Sequence, residues 1–416
     1  MNVIDIFSGA GGLSEGFYNA KEFNFISQVE MDKYASATLR TRALYHALHE
    51  NNKDDIYYEY VGNKTTVDSL SESVKDINVP EIINKEITEE NQEIIADEIT
   101  DKMKLKGIHK VDVMIGGPPC QTYSVIRRFD SKMQGRNWKD DPRNYLFKRY
   151  VYFLQKFSPD IFVFENVPGI KSANGGEFLH NFVTMVNKAG YNITEKILNA
   201  KDFMVLQQRK REIIIGWKKG YKLDYPEFET VEHNYNVGEL LNDLPGLEPG
   251  QGDYLQEYKS GASDYLEKTG IRKHNDILIQ HKARYHNERD RRIYRYVINE
   301  WNTNHRHIKY GELPAELRPY ENTGTFSDKF KVVASDLNYS QTITAHLSRD
   351  GHYYIHPDIE QARSITVREA ARLQSFPDNF KFEGPVSAQY RQIGNAVPPI
   401  MAKSIALKIK KMLDEI

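Results

Sequence analysis

The chain has 416 residues, 40% of them hydrophobic, enough to bury more than one core, and its length gives roughly two to three domains. A formal net charge of −2 excludes a uniformly basic nucleic-acid binder, so any polyanion site must be a local patch. One cysteine excludes an intramolecular disulfide and a multi-thiolate metal site; with no basic leader and no membrane-length apolar run, the expectation is a cytoplasmic protein with no metal and no membrane span.

Val3 to Phe7 reads as a short buried strand, Ser8 to Gly12 as a tight glycine-rich turn, and Leu13 to Ala20 as the opening of a helix. Phe25 to Val29 predicts a second strand that stops at Glu30. Residues 50–106 then hold 15 Asp and Glu against 7 Lys, which suits a solvated helical excursion with room for one sheet strand. The alternation resumes with strands at Val111 to Ile115 and Ile161 to Phe164, separated by a helix around Tyr145 to Lys156, and closes with Glu212 to Trp217. Strands alternating with helices predict an α/β fold with a doubly wound, mostly parallel sheet and ligands at the carboxyl ends of its strands.

Beyond Trp217 the sequence is turn-rich and aromatic until near Arg363, which marks a second, smaller domain. Residues 268–310 carry 11 Lys and Arg against 4 Asp and Glu, with Tyr285, Tyr294, Tyr296 and Trp301 interleaved. That mixture suits a phosphate-contacting surface and equally a solvated amphipathic helix.

Four segments carry chemistry. Asp5 to Gly12 (DIFSGAGG) lets the backbone approach a ligand at a helix N-terminus, and Glu30 stands where an acid can accept from ribose hydroxyls. Together they point to an adenosine-containing cofactor, with a spacing closer to a methyl-donor site than to a nicotinamide fingerprint. Cys120 follows Gly116-Gly117-Pro118-Pro119; a lone cysteine is most often an inert small hydrophobe, but a proline-stiffened loop at a strand end can leave a thiolate reactive. Glu165, in Phe164-Glu165-Asn166-Val167, ends an apolar strand that can raise its pKa enough for it to donate a proton. Gln207-Gln208-Arg209-Lys210-Arg211 offers guanidinium forks, although singly such a run is usually surface charge.

These pieces, with Arg363 to Asp378 (RSITVREAARLQSFPD) and Gln392 to Pro399 (QIGNAVPP), resemble the cytosine-C5 DNA methyltransferases of bacterial restriction-modification type, in the family's order and over nearly the whole chain. The resemblance implies that Cys120 adds to C6 of a flipped-out cytosine while Glu165 protonates or hydrogen-bonds N3. C5 then takes a methyl group from S-adenosylmethionine, and loss of its proton expels the enzyme. Arg209 is expected at the base carbonyl, with Arg211 ordering the neighbourhood. Cofactor contacts are expected from Phe7, Gly9, Ala10, Gly11, Gly12, Glu30, Met31, Glu86, Pro118, Leu146, Asn395 and Val397, with Glu86-Ile87 standing in for the family's third-strand Asp-Ile.

The same resemblance divides the chain into a catalytic domain, 1–217 completed by 385–416, and a target-recognition domain, 218–384. It implies double-stranded DNA as partner, a cognate restriction endonuclease acting on the same site, and a monomer. Two departures stand out: Phe203-Met204-Val205-Leu206 replaces the family's Tyr-Gly-Val-Pro, and the acidic stretch exceeds the usual spacing. The rival readings are a transfer-RNA cytosine methyltransferase, a non-catalytic DNA-binding module, and a nicotinamide oxidoreductase. The last leaves Pro118-Pro119-Cys120 and Gln392 to Pro399 unexplained.

Overall fold

The computed structural model describes residues 1–119, 145–318 and 327–416, with the side chains of 172–175 excepted. The first half follows the expected alternation: β1 (Asn2–Ile6), α1 (Gly12–Asn19), β2 (Asn24–Val29), α2 (Lys33–Glu50), α3 (Asp54–Val61), α4 (Val67–Glu72), β3 (Glu81–Ile83), α5 (Gln92–Leu105) and β4 (Val113–Gly116). It continues with α6 (Leu146–Phe157), β5 (Ile161–Asn166), α7 (Glu177–Lys188), β6 (Tyr191–Asn199) and β7 (Lys210–Lys218).

Seven strands form one sheet in the order β3-β2-β1-β4-β5-β7-β6, all parallel except β7. The inner strands are apolar runs because both faces are covered. Val3, Val113, Ile115, Ile161 and Val163 pack on one side with Phe17 of α1, while Ile4, Ile6, Met114, Phe162 and Phe164 pack on the other with α5, α6 and α7. Chain order reverses between β1 and β4, and the crevice beyond the carboxyl ends of those two strands is where this topology takes ligands.

One sheet element differs from expectation, and the acidic stretch supplies its one expected strand but with less exposure than foreseen. β6, which the sequence reading passed over, is an edge strand with Thr194, Glu195 and Lys196 at its centre; it needs partners on one side only and tolerates charge there. The acidic stretch is less solvated than its composition predicts, since it supplies edge strand β3 and three helices that bury Tyr57, Tyr60, Val61, Leu70, Ile95 and Ile99.

After β7 regular structure thins to β8 (Leu255–Gln256), α8 (Asp264–Thr269), β9 (Leu278–Ile279), α9 (Glu288–Asn304), α10 (Val367–Leu373), α11 (Val386–Asn395) and α12 (Pro399–Asp414). Buried arginines substitute for sheet here. Arg363 grips Glu369 at 2.7 and 2.8 Å, Arg372 bridges Asp243 and Asp378, and Arg368 donates to the carbonyls of Ile279, Pro377 and Phe380. The run RSITVREAARLQSFPD is therefore a frame: its planar, always-charged guanidinium forks satisfy buried carboxylates and loop carbonyls that no ladder reaches. α12 returns to the first half, where Met401, Ala402 and Ile405 pack with Leu13 and Phe17.

Candidate active site

The loop between β1 and α1 turns sharply. Phe7 adopts φ 59°, Gly9 φ 56° and Gly11 φ 82°, a left-handed region that a non-glycine residue such as Phe7 enters only at a cost. Nothing lies within 4 Å of the position a Gly9 side chain would take, so the backbone there is open to a ligand. Gly12 is fixed from the far end of the chain: a Cβ on it would meet the carbonyl oxygen of Val397 at 2.3 Å. Segment 395–397 thus closes onto the first loop, with Asn395 exposed beside it and Val397 buried.

Glu30, just past β2, accepts from the backbone N–H of Gly9 and of Asp32, each at 2.8 Å. Burial raises its pKa, and those two amides oppose the rise. Met31 beside it is 57% exposed and presents an apolar face at the sheet's edge. Asn84, one residue past β3, donates to the carbonyls of Glu30 and Met31 and to Ser36, tying the third strand's end to the second's. Sequence reasoning missed Asn84; its signal was an amide side chain directly after a short apolar run. Glu86 is exposed two residues further on, and Leu146 opens α6 half-buried. Beneath the loop, burial pushes Asp5 up to about 7, with the Ser14 hydroxyl bonded to it.

These residues fit an adenosine-type donor. Glu30 offers carboxylate oxygens at the second strand's end, an open glycine backbone lies next to it, and an exposed thioether flanks both.

Glu165 and Arg211 meet at the end of β5. Glu165 pairs in register with Ile213 of β7, and Arg211, two residues along, lies on the same face because strand side chains alternate. The Nε of Arg211 lies 2.8 Å from Oε1 of Glu165, and both side chains are largely enclosed. Burial raises the Glu165 pKa, while Arg211 and Arg209 pull it back. Gly117 of the proline loop abuts this carboxyl: a Cβ there would stand 2.7 Å from Oε2 of Glu165. Asn166 fastens the same loop by donating to the carbonyl of Pro118 at 3.2 Å. Cys120 lies outside the described residues, directly after Pro119 in the chain.

Arg209 has a different task from the one expected of it. It is fully buried, and its Nη atoms donate to the carbonyls of Ile343 at 2.6 Å, Gly394 at 2.9 Å and Ala396 at 2.8 Å. The Nη atoms of Arg209 are thus turned to backbone carbonyls, whereas Arg211 stands beside Glu165. The spacing Arg-x-Arg could not decide this, because the pattern fixes neither residue's partners. Gln207 completes the tie by donating to Leu373 and Gln374 and accepting from Ile343, and Gln374 reaches Ile393 and Ala396.

Arg209→Leu should therefore leave the enclosed carbonyls of Ile343 and Gly394 unpaired, at about 1–3 kcal/mol each, and Ala396 with Gln374 as its remaining donor. The expected result is a marked fall in the urea midpoint together with weaker binding of an adenosine-type ligand, since segment 394–397 would loosen. An unchanged midpoint would show that Arg209 is not a structural tie.

The structure thus gathers Phe7 to Gly12, Glu30, Met31, Pro118, Glu165, Arg211, Asn395 and Val397 around the carboxyl ends of the central strands, from six separate stretches of chain. The model for the C-5 cytosine-specific DNA methylase family matches residues 1–74 and 76–411. Type II methyltransferase M.Bpa9945I of Bacillus paralicheniformis is 38% identical, over 100% of this chain and 99% of its own. Type II methyltransferase M1.HphI of Haemophilus parahaemolyticus is 30% identical, over 99% of this chain and 87% of its own. Among solved structures, a candidate DNA modification methyltransferase encoded within an E. coli prophage superposes with TM-score 0.66 at 25% identity, covering 100% of this chain and 99% of the other.

Proposed function

Because the chain belongs to the C-5 cytosine-specific DNA methylase family, and so transfers a methyl group to C5 of cytosine in DNA, we propose that Glu165 and Arg211 hold the target base and that S-adenosylmethionine is the donor. The observation that carries this reading is the buried Glu165–Arg211 pair pressed against Gly117, two residues before Pro119. S-adenosylmethionine supplies, when bound, a methyl group on a sulfonium.

The chain's own residues do the rest. Glu165, whose pKa burial raises, is the acid that gives a proton to N3 of the cytosine. Arg211 spends Nε on Glu165 and Nη1 on the Lys210 carbonyl, leaving Nη2 for the O2 carbonyl of the base. The thiolate of Cys120 adds to C6, which breaks the ring's conjugation and puts electron density on C5. After C5 takes the methyl group, the C5 proton passes to water, the sulfur departs as thiolate and N3 returns its proton to Glu165, which restores the ring and resets the enzyme. A C5 carbon stacked within a duplex is unreachable, so the cytosine must first be flipped out.

Residues 218–384 are assigned to target recognition and 1–217 with 385–416 to catalysis. Within the recognition unit α9 is amphipathic, burying Ile293, Tyr294, Val297, Ile298 and Trp301. Its charges are not uniformly free. Arg291 and Arg295 pair with Glu288, and Arg284 turns inward over the Tyr390 ring at 4.0 Å while donating to Leu347. Lys282 and Arg292 remain exposed for phosphates, as does Arg289, whose Nε lies 3.8 Å from Oδ1 of Asp290. Replacing these three with glutamine should lower duplex affinity and flatten its dependence on log salt by about 2–3 units of slope. An unaltered slope would return this helix to plain solvation.

No helix among the described residues is long and apolar enough to cross a membrane; the reading places the chain as a monomeric cytoplasmic enzyme that works beside an endonuclease of the same target site. Transfer of labelled methyl groups to duplex DNA, with bisulfite sequencing of DNA from expressing cells, tests the reading and gives the modified motif. A titration with S-adenosylhomocysteine that showed no binding would overturn the donor assignment.

A further inference from the structure

The acidic excursion after α2 has no part in the chemistry above, yet it makes a dense set of contacts with the far half of the chain. α3 and α4 rest on α2: Tyr57, Tyr60, Val61, Leu70 and Val74 are buried in one cluster with Leu44, Tyr45 and Leu48. The same cluster takes in Ile279 of β9, with Tyr254 and Ile277 packed against it.

Polar links run the same way. Tyr58 donates to Oδ1 of Asp276 at 2.7 Å, Tyr254 donates to the carbonyl of Val61 at 3.0 Å, and Tyr57 donates to the carbonyl of Asn379 at 2.6 Å. Tyr60 donates to Glu383 at 2.7 Å, and Lys381 sits over the Tyr60 ring at 3.7 Å.

The hairpin they reach cannot hold its own position. β8 and β9 pair only two residues each, far short of an independently stable ribbon. β9 is fastened on its other side by Arg368, whose Nε donates to Ile279 at 3.2 Å, and by the Gln280 side chain, which exchanges two hydrogen bonds with the Phe382 backbone. Two residues past Gln280 the chain enters Lys282 and then the start of α9, the surface assigned to phosphates.

From this juxtaposition we propose that residues 54–79 are a brace: they fix hairpin β8–β9, and through it the cationic start of α9, relative to the catalytic sheet. Tyr58 and Tyr254 are its principal positioning residues. The proposal rests on the two-unit reading above. Holding the recognition surface at a set distance from Glu165 lets duplex DNA meet both units without first ordering them, so the brace contributes to DNA affinity and not to the chemical step.

The test is the double variant Tyr58→Phe/Tyr254→Phe, which removes two hydroxyls and leaves every ring in place. Tyr191→Phe serves as control, because Tyr191 donates to the Pro159 carbonyl wholly within the catalytic unit. In the double variant, amide hydrogen exchange of residues 276–284 should quicken by about tenfold while β1 and β2 hold their protection. The Kd for the methylated duplex should rise about tenfold, with single-turnover rate at saturating DNA and S-adenosylhomocysteine affinity within about twofold of the parent.

Unchanged exchange at 276–284, equal quickening across β1 and β2, or the same DNA effect from Tyr191→Phe would overturn the brace. The exchange measurement needs neither DNA nor donor. Should the parent protein fail to methylate duplex DNA, the functional reading falls while the brace is still decided by exchange.

Discussion

Cys120→Ala is expected to lower methyl transfer by at least about 10⁴-fold, the scale seen when a covalent nucleophile is removed from an otherwise intact site. The reason is electronic. A cytosine C5 carbon belongs to an aromatic ring and is a poor nucleophile until addition at C6 breaks that conjugation, and no other group in the chain is a thiol, since Cys120 is its one cysteine. Binding of S-adenosylhomocysteine should stay within about twofold, because the Gly9–Glu30 contact and the closure of Val397 on Gly12 do not involve this loop's sulfur. Cys120→Ser should retain little activity, an alkoxide being far harder to form at neutral pH than a thiolate. Single-turnover transfer of labelled methyl groups reads the effect directly. Full activity in the alanine variant would remove covalent addition from the mechanism.

Glu165→Gln and Arg211→Ala should each slow transfer by about 10²–10³-fold, within the range for a general acid and for a donor aimed at developing charge. Glutamine keeps the shape of Glu165 but cannot give up a proton in the same way, so the folded state should survive while addition slows. The pH profile separates the two roles. Burial raises the Glu165 pKa and the Arg211 guanidinium pulls it down. The acid form is the active one, so rate is full below that pKa and is lost as pH rises through it. Removing Arg211 takes away a cation that favours the carboxylate, so the alkaline limb should move to higher pH even as the maximum rate falls. Glu165→Gln should flatten that limb altogether. A limb that kept its position in both variants would assign it to another group and strip Glu165 of the acid role.

Much of this site was legible in the sequence because strands and their carboxyl ends write themselves in local pattern. Runs such as Val3 to Ile6 and Ile161 to Phe164 are buried on both faces, and their apolar composition betrays them without any partner being known. Edge strand β6 carries Glu195 and Lys196 and was invisible for the opposite reason: half its surroundings are water. The acidic excursion misled in a similar way, since composition averages over a helix whose inner face holds Tyr57 and Val61 while its outer face holds the charge.

What the sequence by itself determined is the fold class, the placement of Glu30 and Glu165 at strand ends, and the family, because each depends on residues adjacent in the chain. What only the tertiary structure decided is which partners the arginines take. Arg209 and Arg211 are two residues apart at the start of β7, one just before it and one within it, yet one is enclosed by the carbonyls of residues 343, 394 and 396 and the other faces Glu165. A guanidinium's role is set by the acceptors within about 3 Å of it, and here those acceptors come from more than a hundred residues away, or from a neighbouring strand whose register the local pattern does not encode.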